Sequence, residues 1–405
     1  MRVAMVNTEF SRGGAARMAS TLVDALIAEK TDVCLYHAGD RVKTKKFYGM
    51  QRVGSKPLNA LMERVGGSMF MYDMGLTKDL LHEIETADLL HVHNLHGYYI
   101  NYTNLLYTWR QRPIVWTWHD FWAVTGRCCL PNPDCGGWRN GCGKCPYPDV
   151  YPAAWLDWSA RDYRSKSELY RILENLTIVT PANWLAEMAI ERGFSSERIR
   201  VIPNPVDITK YCPQPQVQAR QTLGYSQNEP LILFVASDCN DPRKGYPKFC
   251  KLIESTGYHG IAVGIPSRQT NPLITQTGSI SDPATLSLYY SAADLLVMTT
   301  QADNYPNVII EAMACGTPVL SYGVGGIADQ MPTFWNGVVP LNDDEQLLVR
   351  CQNIIRDRNA LSELRSAFRE HATTTWNPRS VARQYNSVYR EAASLERNTR
   401  NNAFK

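Results

Sequence analysis

The segment between Asp294 and Gly326 restricts the fold more than any other part of this chain. It begins with an apolar run of strand length, Leu295–Thr299, and after a polar turn it continues as a short apolar helix, Val308–Cys315. A second apolar run, Thr317–Tyr322, follows the helix. A strand, a helix and a second strand in this order predict a βαβ unit of a parallel sheet, with its ligand-binding edge at the turn between the first strand and the helix.

The turn Thr300–Pro306 carries the residues that predict chemistry. Asn307 is predicted as the N-cap of the helix, and Gly316 as the glycine that ends it. Asp303 lies in the turn and Glu311 inside the helix, on either side of the first free backbone N–H groups, which suit a phosphate. A nucleotide sugar needs donors for its diphosphate and acceptors for its sugar hydroxyls and ribose diol. The alternative is that one acid is a turn residue and the other an exposed helix residue.

The sequence DNYPNVIIEAMACGTPV resembles the E-x7-E segment of the retaining glycosyltransferases of family 4. Asp303 stands where the family more often has Glu, a variant associated with the branch that makes bacterial exopolysaccharides, and the sequence resembles the colanic-acid transferases of that branch. The resemblance implies an α/β protein of the GT-B fold: two Rossmann-like domains facing across a cleft, and a C-terminal helix that crosses back to the first domain. It also implies that Asp303 orients the transferred sugar and that Glu311 binds the ribose.

Length and composition bound the remaining possibilities. A chain of 405 residues is long enough for two or three domains, and a net charge of +3 gives no argument for a nucleic-acid partner. The sequence has no apolar run of 18 residues, which predicts the absence of a transmembrane helix. Its N-terminal apolar stretch is strand-like and too short for a signal peptide. We therefore expect a cytoplasmic protein, with peripheral association at the inner face of the membrane as an open alternative.

The order of motifs predicts the domain boundaries. An N-terminal acceptor-binding domain is expected over residues 1–207, with a cysteine-rich insertion at 127–146. A Pro- and Gln-rich linker is predicted at 208–228, a sugar-nucleotide domain at 229–377, and a crossing helix and tail at 378–405. The phrase VIPNPVD near the end of the first domain resembles the family's IPNGVD, with proline in place of the glycine.

A glycine pair follows the first predicted strand. Gly13 and Gly14 separate the strand Arg2–Val6 from the helix Ala15–Glu29, and glycine lets a backbone approach a ligand closely. A glycine pair alone is a weak signal, because many tight turns contain one. The resemblance implies that this loop lies against the donor phosphate and the acceptor.

Three histidines and an aspartate stand at the ends of two further strands. His119 and Asp120 end IVWTWHD, and His91 and His93 lie in DLLHVHN, where strand alternation puts both on one face. Carboxyl ends of parallel strands are where such sheets bind ligands. A single histidine is more often structural, but the resemblance implies that His119 lies near the transferred sugar. We treat His91, His93 and Asp120 as acceptor-side candidates.

Two more loops are predicted to bind the donor. Lys244 matches the family's lysine before a glycine, which grips the diphosphate, whereas the arginine that the family has upstream is replaced by Ser237 and Asp238. Arg243 is the candidate substitute, although a basic pair on a loop is often simply solvated. The segment GVGGIAD matches the family's glycine loop under the donor, which implies a role for Gly325 and Gly326.

Five cysteines lie close together in RCCLPNPDCGGWRNGCGKCP. The closing CGKC resembles a zinc knuckle, and Cys128, Cys135, Cys142 and Cys145 would supply four ligands, with Cys129 as the spare. Four thiolates leave no open coordination position, so the hypothesis is a structural zinc ion. One or two disulfides and free thiols are the alternatives, of which the cytoplasm disfavours disulfides.

The sequence therefore predicts transfer of a sugar from a nucleotide-diphosphate donor to a saccharide or lipid-linked saccharide, in bacterial polysaccharide synthesis, with no cofactor required for catalysis. The resemblance implies retention of anomeric configuration. No D-x-D occurs in the chain, which argues against metal-dependent transferases of the other major fold. Two alternatives remain: a non-catalytic binder of sugar nucleotides or polysaccharides on the same fold, and an NAD(P)-dependent oxidoreductase, because Gly323–Ala328 formally matches G-x-G-x-x-A.

Overall fold

A computed structural model describes residues 1–10, 13–38, 46–49, 61, 64–65, 84–97, 99–130 and 135–403. The chain forms two compact units: Met1–Pro203 together with Val381–Lys405, and Asn204–Ser380. Most of the segment 40–80, for which the sequence predicts an acceptor-side loop and helix, lies outside the described residues.

The first unit is built on a parallel sheet of seven strands in the order β3-β2-β1-β4-β5-β6-β7. All the strand pairs are parallel, and the strands Leu89–Val92, Ile114–Thr117 and Leu176–Thr180 are buried along their whole length. The strands are β1 (Arg2–Asn7), β2 (Asp32–His37), β3 (Phe47–Gly49), β4 (Leu89–Val92), β5 (Ile114–Thr117), β6 (Leu176–Thr180) and β7 (Ile199–Val201).

The second unit has a parallel sheet of six strands in the order β10-β9-β8-β11-β12-β13. Its middle strands β11 and β12 are completely buried, as their continuous apolar runs predict. The strands are β8 (Leu231–Asp238), β9 (His259–Ile265), β10 (Ile274–Gly278), β11 (Leu295–Met298), β12 (Val319–Tyr322) and β13 (Val338–Val339).

Along the chain, the helices lie between most of the successive strands of each unit, before β8 and after β13, which gives both units a Rossmann-like α/β architecture and confirms the predicted fold class. They are α1 (Gly14–Ala28), α2 (Tyr102–Thr108), α3 (Ser159–Ile172), α4 (Asn183–Glu191), α5 (Gln216–Leu223), α6 (Tyr246–Thr256), α7 (Pro283–Ala292), α8 (Asn307–Ala314), α9 (Asp344–Arg356), α10 (Arg358–Thr375) and α11 (Pro378–Ala403). None of the helices within the described residues combines the length and the apolar character that a membrane span requires.

Helix α11 returns to the first unit, as the resemblance implies. Its apolar side chains share one buried core with side chains of β1, α1 and β2. Two of its tyrosines also make buried hydrogen bonds to the sheet: the Tyr385 hydroxyl lies 3.0 Å from Thr117 Oγ1, and the Tyr389 hydroxyl 2.7 Å from His91 Nδ1. The end of the chain is therefore part of the core of the first unit.

The structure differs from the predicted linker at 208–228. Helix α5 lies within this segment, and the segment belongs to the second unit. Arg220 is only 2% exposed and donates to Asp294 Oδ2 at 2.8 Å and to the Ala292 carbonyl at 2.9 Å. The Pro- and Gln-rich composition suggested a solvated connection, but a single buried ion pair fixes the helix to the unit.

Candidate functional site

Three loops of the second unit meet at the carboxyl ends of the neighbouring strands β8, β11 and β12. The Arg243 carbonyl accepts hydrogen bonds from Thr300 Oγ1 at 2.9 Å and from the Gln301 amide at 2.6 Å. The Gly326 amide donates to the Asn304 carbonyl at 2.8 Å. Hydrogen bonds to backbone atoms thus hold three segments together: the loop that contains Lys244 (the lysine loop), the turn Thr300–Pro306 (the aspartate turn) and the loop that contains Gly325 and Gly326 (the glycine loop).

Two glycines allow this close contact. Gly245 has φ 70°, and a Cβ there would lie 2.0 Å from the Thr299 carbonyl oxygen. Gly325 has φ 54°, and a Cβ there would lie 1.9 Å from the Asp303 carbonyl oxygen. Any side chain at either position would push the loops apart. The predicted glycine loop is therefore directly in contact with the predicted sugar-orienting acid.

Lys244 and Asp303 form the central ion pair of this site. Lys244 Nζ lies 2.6 Å from Asp303 Oδ2, although the two residues are far apart in the sequence. Both side chains are partly buried, and each keeps some exposed surface. The site therefore offers an ammonium and a carboxylate at one point.

Glu311 is buried inside helix α8 and is not an exposed helix residue. It is 4% exposed, and its Oε2 accepts a hydrogen bond from the Tyr290 hydroxyl at 3.0 Å. Burial and the charge of Glu311 raise the pKa of Tyr290 well above its usual value, which keeps the hydroxyl protonated as a donor. A fixed orientation of this kind suits a carboxylate that binds a diol.

Two details of the predicted donor site are different in the structure. The N-cap of α8 is Pro306, and Asn307 is the first helical residue, so its side chain does not cap the helix; it accepts a hydrogen bond from Asn204 Nδ2 at 3.2 Å. The prediction was wrong by one residue because Pro306 holds the extended backbone of a cap position. Arg243 is half exposed, and its guanidinium pairs with Asp241, with NH2 2.7 Å from Oδ2.

The first unit brings together His93 and His119 at the carboxyl ends of β4 and β5. His93 Nδ1 lies 2.9 Å from His119 Nε2, and the two rings are stacked at 10°. Burial lowers the pKa of His119 to about 4 and that of His93 well below its usual value. At neutral pH both rings are uncharged, and the two nitrogens share a single proton. Within the described part of the chain, His93 Nε2 has no hydrogen-bond partner.

His91 lies behind this pair, in the core. It is 0% exposed, with Nε2 2.8 Å from Thr117 Oγ1 and Nδ1 2.7 Å from the Tyr389 hydroxyl. Both ring nitrogens are therefore used by protein hydroxyls, which places His91 among the structural residues and not on the acceptor side. Strand alternation gave the correct face, but the partner from α11 could not be inferred from the local sequence.

His96 is a candidate that the sequence analysis missed. Its Nε2 lies 2.7 Å from Asp120 Oδ2, and both side chains are partly buried. Burial would raise the pKa of Asp120, but the charge and hydrogen bond of His96 and the Trp122 amide lower it overall. Cys129 contributes a sulfur within 4.8 Å of both groups. The available signal was the second histidine of HNLHG, just after β4.

The glycine pair begins helix α1 after β1. Gly13 has φ 91° and stands at the N-cap, and Gly14 is the first helical residue. The Gly13 carbonyl accepts the first helical hydrogen bond, from the Arg17 amide at 3.1 Å. Among the described residues that are not its chain neighbours, no atom lies within 4 Å of a Cβ built at Gly13.

Comparisons with known proteins agree with this architecture. A family model described as Glycosyltransferase Family 4 matches residues 12–210, and one described as Glycosyl transferases group 1 matches residues 230–357. The colanic acid biosynthesis glycosyl transferase WcaC of Escherichia coli K12 is 29% identical over 247 residues, 58% of this chain and 59% of that protein. A D-inositol 3-phosphate glycosyltransferase of Nocardia farcinica is 29% identical over 156 residues, 34% of this chain and 35% of that protein.

Solved structures match along nearly the whole chain. Sucrose-phosphate synthase from Thermosynechococcus elongatus has a TM-score of 0.71 at 20% identity, covering 97% of this chain and 99% of that one. HepE from Anabaena, in complex with UDP-glucose, has a TM-score of 0.66 at 15% identity, covering 96% and 100%. These likenesses show the GT-B fold. With two matching family models that follow each other along the sequence, the chain belongs to the family 4 glycosyltransferases.

Proposed function

We propose that this protein transfers a hexose from a nucleotide-diphosphate donor to a saccharide or lipid-linked saccharide, with retention of anomeric configuration, in polysaccharide synthesis. The observation that carries the proposal is the Lys244–Asp303 pair, held by two glycine contacts where three strand ends meet. The solved complex of HepE with UDP-glucose supports a nucleotide-sugar donor. The similarity to WcaC supports a polysaccharide product.

The proposed donor site is the second unit. The leaving diphosphate develops negative charge in the reaction. This charge is stabilised by Lys244, by the backbone N–H groups that begin α8 at Asn307 and, to a smaller extent, by Arg243. Asp303 orients the sugar hydroxyls and Glu311 the ribose diol. The bond between the anomeric carbon and the phosphate oxygen breaks, the acceptor oxygen forms the new bond on the same face, and its proton passes to the leaving phosphate.

The proposed acceptor side is the first unit. His119, neutral at physiological pH, acts as a hydrogen-bond partner of the transferred sugar or the acceptor, and His93 fixes its tautomer across their shared proton. Asp120, hydrogen-bonded to His96, offers a further acceptor for hydroxyl groups. No step of this scheme uses a cofactor, which remains a prediction.

The two alternatives differ in their support. The match of Gly323–Ala328 to a dinucleotide fingerprint is weakened because these residues lead into a 3-10 helix, Gly325–Gln330, and not into the long helix such a site uses. The non-catalytic binder is favoured by the replacement of the upstream arginine by Ser237 and Asp238. Only the rate of sugar transfer separates it from an enzyme.

The test is a panel of nucleotide sugars scored by thermal stabilisation and by release of the nucleoside diphosphate. We expect one donor to raise the melting temperature and to be hydrolysed slowly, and faster once a suitable acceptor is added. Stabilisation without any release, with a broad set of acceptors, would support the binder. If no nucleotide sugar stabilises the protein, the donor-site assignment is wrong.

A further inference from the structure

The five clustered cysteines divide into two groups in the structure. Cys128, Cys135, Cys142 and Cys145 line one common cavity of about 50 Å³ in the cysteine-rich insertion. Cys129 is not among the residues that line it; its sulfur lies instead beside His96 and Asp120. The fold therefore selects four of five thiols, and they are the four whose spacing resembles a zinc site.

An unusual backbone presents two of these sulfurs to the cavity. The four successive residues of the closing turn all have positive φ: Gly141 at 92°, Cys142 at 59°, Gly143 at 98° and Lys144 at 48°. Residues other than glycine rarely adopt positive φ, so two of them in one run indicate a strained turn that the surrounding structure holds in place, as is common at functional sites. The turn brings Cys142 and Cys145 to the same cavity.

A backbone amide points at one of these two sulfurs. The Gly126 amide donates to Cys142 Sγ at 3.2 Å. An N–H donor stabilises a thiolate more than a neutral thiol, because the thiolate carries the full charge. This donor would also orient the Cys142 ligand around a bound cation, as the outer groups of metal sites do.

We propose that Cys128, Cys135, Cys142 and Cys145 bind one Zn²⁺ ion as thiolates, as a structural site. Each thiol gives up its proton on binding, so up to four protons are released per ion. Zinc at about 2.3 Å from each sulfur would hold the sulfurs roughly 3.8 Å apart. Among the described residues, no three of these sulfurs lie within 4.8 Å of one another, so the proposal requires that binding the ion draws the four sulfurs closer together.

A zinc ion bound at this site would restrict the movement of the loop that follows Asp120. Thr125 Oγ1 donates to the Cys128 carbonyl at 2.7 Å, and the Phe121 amide donates to the Cys129 carbonyl at 2.7 Å. An ion on Cys128 would therefore fix the loop beside the His96–Asp120 pair without contacting the reacting atoms. The sugar-nucleotide residues belong to the other unit, so nucleotide binding should not depend on the metal.

The first experiment uses the full-length wild-type protein, purified without chelators. We expect about one equivalent of zinc by elemental analysis. Exchange with Co²⁺ should give the intense visible bands of tetrahedral cobalt together with thiolate-to-cobalt charge transfer. Less than a tenth of an equivalent of zinc after growth and refolding in added zinc, with all eleven thiols of the chain titrating under denaturing conditions, would overturn the proposal. Fewer than eleven thiols in metal-free protein would overturn it in favour of disulfides.

The matched variants are Cys145→Ser and Cys212→Ser, since both cysteines are half-buried and only the first lines the cavity. We expect Cys145→Ser to lower zinc affinity at least tenfold and to weaken the charge-transfer band, whereas Cys212→Ser leaves both unchanged. Equal metal content and identical spectra in the two variants would contradict the ligand assignment. If Cys145→Ser does not fold, the wild-type metal and thiol counts still decide.

Discussion

The charge balance of the donor-side site depends on one residue, Lys244, whose ammonium lies 2.6 Å from Asp303 Oδ2. A diphosphate brings two or three negative charges to this point, and an ammonium that is already oriented binds them without a cost of reorganisation. The neighbouring Arg243 contributes less, because its guanidinium is paired with Asp241.

Lys244→Ala should therefore weaken binding of the nucleoside diphosphate by about 1.5–3 kcal/mol, the range for a hydrogen bond to a charged group. The measurement is titration calorimetry with the diphosphate that stabilises the wild type. Lys210→Ala is the matched control, because Lys210 also pairs with an aspartate but its side chain is 63% exposed. If the two variants bind the nucleoside diphosphate equally well, the assignment of Lys244 to the donor site is wrong.

His119 belongs to a different unit from the phosphate-binding residues, and its effect should differ in kind. His119→Ala should lower turnover by at least tenfold while the affinity for the nucleotide changes little, because the neutral ring makes a hydrogen bond and carries no charge toward the phosphates. His259→Ala is the control, because His259 is a partly buried histidine of the second unit. Unchanged turnover in His119→Ala would leave this residue with a structural role.

Single residues also show where prediction from sequence ends. Lys244 was predicted from its match to the family's lysine before a glycine, and Asp303 and Glu311 from the E-x7-E resemblance; the structure brings Lys244 and Asp303 into contact. The same approach could not show that His91 is a core residue, because that depends on the hydroxyls of Thr117 and Tyr389. Residues remote in sequence decide which histidine is core and which is accessible.

Among the structural elements, hydrogen bonds between loops determine the geometry of the proposed donor site. The apolar runs predicted the strands β1, β11 and β12 to within two residues at each end, because buried parallel strands are continuous apolar runs. The contact between the glycine loop and the aspartate turn was not predictable from either segment alone. The contact is between backbone atoms, so no pattern of side chains in the sequence predicts it.

Gly325→Ala tests this contact. A Cβ at Gly325 would overlap the Asp303 carbonyl oxygen at 1.9 Å, so the aspartate turn must move and donor binding should fall at least tenfold. Gly224→Ala is the matched control: Gly224 also has positive φ, at 77°, but a Cβ there meets no atom within 4 Å. Both variants should lose about 1 kcal/mol of stability from backbone strain, measured by chemical denaturation. If both bind the nucleotide as the wild type does, the loop contact has no role in the site.

At the scale of the whole molecule, the two units can be followed separately. Eight of the ten tryptophans lie in the first unit, at positions 109, 116, 118, 122, 138, 155, 158 and 184. Intrinsic fluorescence therefore reports mainly on that unit. Unfolding need not be a single transition in a chain with two cores.

The first unit should lose stability in mild acid. Burial lowers the pKa of His91 to about 3 and that of His119 to about 4, so below pH 6.5 the unfolded chain binds protons that the folded unit does not. The free energy of unfolding of the first unit is therefore unaffected by these histidines above pH 6.5, and it decreases as the pH falls from 6.5 toward 4. The measurement is the denaturant midpoint of tryptophan fluorescence at pH 7, 6 and 5. His91→Gln should flatten this dependence and His259→Gln should not; an identical slope in both would contradict the assignment.

The return of helix α11 to the first unit has a consequence for the order in which the protein matures. Its side chains complete the core around β1, yet they are synthesised after the whole of Asn204–Ser380. A ribosome therefore translates every residue of the second unit before it adds the last packing residues of the first. In most multidomain chains the N-terminal domain matures first during synthesis. Here the core of the first unit stays incomplete until helix α11 has been translated, after the whole of the second unit.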